Sequence, residues 1–303
     1  MATSPPRPPD PSQHYAAQVL LAHSLGQMVQ KLFGLLDPLH LHSSLGRYTD
    51  AALPVVQQFA RASRGLASAA YTTERQAAGV SGAFRPPLVD LPDRAQVEAS
   101  IRWATNDLWS TDGGGLTTLD DVLKAKTALP EALVKPVVDT GRAQMIESVR
   151  LDRDATAWAR EVEPGACWFC AMLASRGAVY RSQESGNFRT HDHCRCQAVP
   201  VFGKYEPTAQ VREWQGLWAD STHDVNGSKG KQQAFQEAFE GRTIKRRGET
   251  AGHASKEPAR KRGFEDMTLD EIDTQLRVVT GLPASDWRTT YLAKLNARRA
   301  ELS

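Results

Sequence analysis

The stretch SLGRYTDAALPVVQQFARASRGLASAAYTTERQAA, from Ser44 to Ala78, decides the fold. Tyr48, Ala52, Val55, Val56, Phe59, Ala62, Leu66, Ala69, Ala70 and Tyr71 recur along it at mostly three- and four-residue steps. That is the period of an α-helix burying one face, and it predicts a long helix here. Pro54 is expected near the helix start or at a kink, because proline lacks the amide proton that an interior turn needs. The many alanines allow neighbouring helices to approach closely, as in a bundle.

Working towards the N-terminus, Tyr15, Val19, Ala22, Leu25, Val29, Leu32 and Leu36 repeat the pattern from His14 onward. Asp37-Pro38 closes that run, since a residue before proline is pushed out of the helical region. Residues 1–13, with prolines at 5, 6, 8, 9 and 11, are expected to form a disordered arm. Towards the C-terminus a Gly- and Pro-bearing linker covers 79–95, and a helix is expected from Arg94 to Leu108 on Val97, Ile101, Ala104 and Leu108. Gly113-Gly114-Gly115 is not followed by Gly-Lys-Ser/Thr, so a phosphate-binding loop is excluded and a flexible turn is expected. Thr117-Thr118-Leu119-Asp120 has the look of a helix cap, and residues 131–162 read as one or two further helices. No useful strand alternation occurs before position 163. The class is therefore mainly α, with a helical domain over 14–140.

Residues 164–202 differ. Glycines at 165, 177 and 186 and short apolar pieces predict strands or hairpins joined by turns, with Ala198–Phe202 as an edge strand. A small Cys/His-rich α+β segment is expected over 141–205. A helical extension follows over 206–241, then a basic linker over 242–264 and a helical hairpin over 265–303. In the hairpin, Thr268 and Glu271 form a capping-box pattern, Gly281 ends the first helix and Ser285 starts the second. Trp287, Tyr291, Leu292 and Leu295 are expected against Leu269, Ile272, Leu276 and Val279, or against a protein partner.

At 303 residues the chain can bury a full core, and 41% hydrophobic with 24% charged residues is ordinary for a globular protein. A net charge of +2 identifies no partner. No run approaches the ~20 apolar residues of a membrane span, so no membrane is expected. The proline-rich start lacks the apolar core of a secretion signal, which leads us to expect synthesis and retention in a cytoplasm. In such a reducing compartment, close-set cysteines more often bind metal or do redox chemistry than form disulfides.

All four cysteines fall within one short stretch: Cys167-Trp168-Phe169-Cys170, then about twenty residues, then His191-Asp192-His193-Cys194-Arg195-Cys196. Two cysteines separated by two residues can turn both sulfurs to one ion across a tight knuckle, and zinc takes four such ligands in a tetrahedron. The preferred set is Cys167, Cys170, His191 and Cys194, with Cys196 or His193 as substitutes. A closed structural zinc site is one reading, in which binding free energy becomes folding free energy. A disulfide linking the two halves is a second. A catalytic thiolate with His191 or His193 as base is a third.

The run Cys167–Gly177, together with His191–Cys196 and Val199–Phe202, resembles the minor head proteins of the phage Mu F type, particularly those of actinobacterial tailed phages. Gly141-Arg142, Asp152–Ala155 and Trp158–Arg160 fit the same pattern, so the resemblance covers about residues 140–202. It implies a head-morphogenesis protein made in the bacterial cytoplasm. Such a protein enters the procapsid near the portal and contacts portal protein, major capsid protein or scaffold. Some relatives are labelled capsid maturation proteases, the alternative function. No Gly-x-Ser-x-Gly elbow or His-Glu-x-x-His helix supports that label here, and His40 and His42 are weak candidates. In a head, Arg242, Lys245, Arg246, Arg247, Arg260, Lys261 and Arg262 would face packaged DNA without sequence preference, although a solvated spacer is the plainer reading of a charged run.

Overall fold

Helix α1 (Pro11–Leu32) belongs to a computed structural model that describes residues 11–109, 116–162, 165–180, 196–247 and 263–303. The proline-rich arm before it and the Gly113–Gly115 triplet lie outside the described residues. After two 3₁₀ turns comes the long helix foreseen around Ser44–Ala78, α2 (Leu41–Ala77), which carries Pro54 in its interior. Burial of Tyr48, Ala52, Val56 and Ala60 along one face outweighs the backbone bond that proline removes. Helix α3 (Arg94–Ala104) starts at a capping box in which Asp93 accepts from the Gln96 amide at 2.8 Å. The helix expected to reach Leu108 breaks at Thr105 and resumes as the short α4 (Asn106–Trp109). Helix α5 (Leu119–Leu151) begins where the Thr118 hydroxyl accepts from the Asp121 amide, and it runs through Pro130 and Pro136.

Strand β1 (Ala157–Glu161), helix α6 (Trp168–Ser175) and strand β2 (Gln197–Val201) follow. Helices α7 (Ala209–Thr222), α8 (Ser228–Arg247), α9 (Leu269–Thr280) and α10 (Asp286–Leu302) complete the described residues. The fold is mainly helical, with β1 and β2 paired antiparallel so that Ala159 faces Val199 and Glu161 faces Gln197. Among the described residues no single helix is long and apolar enough to cross a membrane.

Two stretches differ from the sequence reading. Residues 131–162 are not helical throughout: α5 stops at Leu151 and the chain turns into β1. At the turn, the Asp152 carboxylate accepts from the Asp154 amide, the Arg75 guanidinium and the Tyr71 hydroxyl. Burial works against that charge, but these donors prevail and hold Asp152 below the usual carboxylate range. Arg75 also reaches Asp154 and the Gly82 carbonyl. The second stretch is 164–202, expected as strands and turns, where the Cys-x-x-Cys region forms helix α6. Its Ala171, Met172 and Ala174 are buried against α7 and α8. In addition, α8 continues to Arg247, into the region read as a basic linker.

The chain divides into two compact units. The first comprises Met1–Leu21, Ala60–Leu91 and Val138–His253. It holds one core of Ala171, Met172, Val211, Trp214 and Phe235, and another of Tyr71, Met145, Trp158, Tyr180 and Ala198. Its share of the 79–95 stretch is pinned rather than loose: Gln144 donates to the Pro87 carbonyl and accepts from the Val89 amide. The second unit comprises Ala22–Phe59, Pro92–Val137 and Ala254–Ser303. There α9 and α10 pack as the expected hairpin, burying Ile272, Val279, Trp287, Tyr291 and Leu295. Trp287 Nε1 donates to the Thr117 carbonyl at 2.9 Å, and the Tyr291 hydroxyl accepts from the Leu119 amide. The hairpin's aromatic side chains are thus used inside this unit.

Candidate metal centre

Cys167 sits just ahead of α6 in an extended conformation, and its sulfur accepts from the Cys170 amide at 3.4 Å. It thereby caps the helix in the manner of serine or aspartate, which places Cys170 in the first turn, pointing inward. Cys196 arrives from the other side of the unit, immediately before β2. The Cys170 and Cys196 sulfurs lie 3.5 Å apart and are 2% and 1% exposed. A disulfide requires about 2.05 Å. Two thiolates on a tetrahedral zinc with 2.3 Å bonds stand about 3.8 Å apart. The observed spacing suits a thiol–thiol hydrogen bond as well as two sulfurs sharing an ion, and Cys167, Cys170 and Cys196 carry no disulfide.

Two buried arginines converge on Cys196. Arg160, on β1, directs Nη1 to its sulfur at 2.8 Å, and Arg142, on α5, donates from Nε to its carbonyl at 3.0 Å. Arg142 is in turn paired with Asp139 at 2.7 Å. Sulfur, backbone and both guanidinium groups form one buried polar knot. The sequence reading placed both arginines in the family pattern but gave neither a role at the cysteines. The available signal was a charged residue ending the apolar run Ala157-Trp158-Ala159, where a buried cation demands a specific partner.

Of the six candidate ligands, the structure thus brings Cys170 and Cys196 together, with Cys167 one turn from Cys170. His191, His193 and Cys194 lie outside the described residues. So do Arg260, Lys261 and Arg262 and the side chains of Arg242, Lys245, Arg246 and Arg247. Among the described residues, the set of three donor atoms mutually within 4.8 Å is Asp37, His40 and Asp286, and the sulfurs of Cys167, Cys170 and Cys196 do not form such a set. That trio, half-buried at Asp37 and exposed at His40 and Asp286, has a sufficient role already. Asp37 accepts from the Asp286 and Trp287 amides at the start of α10, beside the Ser285 N-cap, while His40 pairs with Asp286 at 3.2 Å. His42 packs edge-on against Trp109.

Beyond the cysteines, the strand end carries titratable groups. Burial lowers the His14 ring below the usual histidine range, against a hydrogen bond with the Gln197 side chain that favours the charged ring. Glu74 is pushed up to about 7, by burial first and by the nearby Glu161 charge second. The folded chain therefore holds this proton more tightly than the unfolded chain, whose carboxyl has the ordinary value of 4.5. The stabilisation is complete below about 4.5 and is lost as pH rises through about 7. Glu74→Gln cannot ionise, so its advantage over wild type should grow from almost nothing at pH 4.5 to about 1 kcal/mol at pH 8, after discounting for solvent screening. Thermal melts at the two pH values check this, and an equal difference at both would refute it.

A family model described as VG15 protein matches residues 7–221, more than half of the chain and the whole of the cysteine region. Neither a curated protein nor a solved structure matches.

Proposed function

The chain belongs to the VG15 protein family and is a phage protein, and on that premise we propose that it is a minor head-morphogenesis protein stabilised by a structural zinc site. The family match carries the reading. The Mu F-type pattern adds the finer placement, in the procapsid near the portal, with portal protein, major capsid protein or scaffold as partners.

The donor chemistry fits zinc. Cys167, Cys170 and Cys196 supply three sulfurs, and His191, His193 or Cys194 supplies the fourth ligand. Bound there, zinc would tie the start of α6 to the start of β2 and so brace a two-stranded sheet too small to be stable alone. The burial of Cys170 and Cys196 favours ligands over nucleophiles, because a cysteine protease must admit a peptide to its sulfur. That leaves the maturation-protease alternative with the weaker support. The basic residues between Arg242 and Arg262 would contact DNA phosphate, with affinity falling as salt rises.

Mass spectrometry of purified procapsids and virions tests the function. Peptides of this chain are expected in the particles, at well below the abundance of the coat protein. Their absence from both kinds of particle would remove the proposal.

A further inference from the structure

The zinc reading leaves open what the fully buried Arg160 does beside the cysteines. It is 1% exposed, and it extends from β1 to place Nη1 2.8 Å from the Cys196 sulfur. Arg142 fixes the same residue's carbonyl at 3.0 Å, so both backbone and side chain of Cys196 are oriented before any ion arrives. A hydrogen bond from a cationic donor is shorter and stronger than a neutral one, and here it works in a dry, low-dielectric setting. Charge points the same way. Thiolates at Cys170 and Cys196 would be costly to bury unpaired, and one buried guanidinium offsets part of that charge.

We propose that Arg160 is the positioning and charge partner of the cysteine centre, donating to the Cys196 sulfur and thereby setting how tightly the site holds zinc. This rests on the zinc reading given above. Groups that hold metal ligands from outside typically contribute 10–100-fold in affinity. A thiolate that loses such a donor becomes more electron-rich, so charge transfer from sulfur to a bound metal requires less energy.

The test uses the reduced full chain with Arg160→Met and Arg160→Lys. Zn²⁺ affinity is measured by competition with a chromophoric chelator, and Co²⁺ replaces zinc for absorption spectra. Arg160→Met should bind zinc about 10–100-fold more weakly and move the sulfur-to-cobalt band to longer wavelength. Arg160→Lys, which keeps the charge but not the planar fork, should fall between. A purely structural arginine would lower the melting temperature without moving the cobalt band. Wild type that binds metal, beside variants of unchanged affinity and spectrum, would overturn the role of Arg160 and leave the zinc site standing. Wild type that binds neither Zn²⁺ nor Co²⁺ would overturn both. If Arg160→Met does not fold, Arg160→Lys decides, and wild-type affinity with a wild-type band would overturn the inference.

Discussion

Cys170→Ser is expected to strip zinc from the purified, reduced protein, whereas wild type retains about one equivalent. Cys170 lies beside Cys196 and receives structural support from both directions, through the α6 cap formed by Cys167 and through the apolar packing of Ala171 and Met172. A serine hydroxyl stays protonated near neutral pH and is a poor replacement for a thiolate. Affinity should therefore fall by orders of magnitude. Zinc that binds only the folded chain stabilises it by about 4 kcal/mol when free metal exceeds Kd a thousandfold, and the variant would forgo that amount. Its melting temperature should also stop responding to a chelator that destabilises wild type. Asp37→Asn is the control: it alters the Asp37–His40–Asp286 group and should leave zinc content unchanged. Elemental analysis that finds no zinc in wild type, or full zinc in Cys170→Ser, would sink the centre.

The helical class was legible because Ser44–Ala78 buries one face, and one-sided burial leaves a period in the sequence. Strand β1 left none. Ala157, Trp158, Ala159 and Arg160 are all buried, so no inward–outward alternation exists to be read. Helix α6 was hidden for a related reason: Trp168 to Ala174 is apolar at every position, and such a run suits a strand or a helix equally well. The continuation of α8 to Arg247 was obscured by its charges, although arginine and lysine are good helix formers and cations suit a helix C-terminus.

The candidate centre was legible at the level of composition and spacing, since clustered cysteines need no tertiary information to be noticed. Which sulfurs meet does need it. Cys196 stood as a substitute for Cys194, yet the register of β2 against β1 sets it beside Cys170 and under Arg160. Nothing local distinguishes two cysteines two positions apart, because their order of approach is decided by a strand pairing across about forty residues. The same holds for Asp37, which receives the first two amides of α10, a helix some 250 positions away.

Gly141→Val should be among the most damaging single substitutions in the first unit. Gly141 is buried in α5 where that helix meets α1 and α2. A β-carbon built there would overlap Ser63 Oγ and lie 3.0 Å from Gln18 Nε2 and 3.3 Å from the Ser63 carbonyl. Those atoms have little freedom to withdraw. The Ser63 hydroxyl donates to Gln18 Oε1 at 2.9 Å, and Gln18 Nε2 donates back to the Ser63 carbonyl at 3.1 Å. Overpacking costs about 1–3 kcal/mol, and breaking a buried hydrogen-bonded pair adds about 1–3 kcal/mol. Against this stands a helix-propensity gain of under about 1 kcal/mol on replacing glycine. A net loss of about 2–5 kcal/mol is expected for valine and a smaller loss for Gly141→Ala. Gly65→Ala, on exposed α2 surface with nothing within 4 Å, should instead gain about 0.5–1 kcal/mol. The opposite signs separate steric conflict from backbone entropy. Combining Ser63→Gly with Gly141→Ala should recover part of the loss, because the two substitutions share one space. Arg142 follows Gly141 directly and holds the Cys196 carbonyl, so displacing α5 should weaken zinc binding as well. Urea titrations of the four variants decide the matter, and a Gly141→Ala as stable as Gly65→Ala would show that the three helices do not depend on this contact.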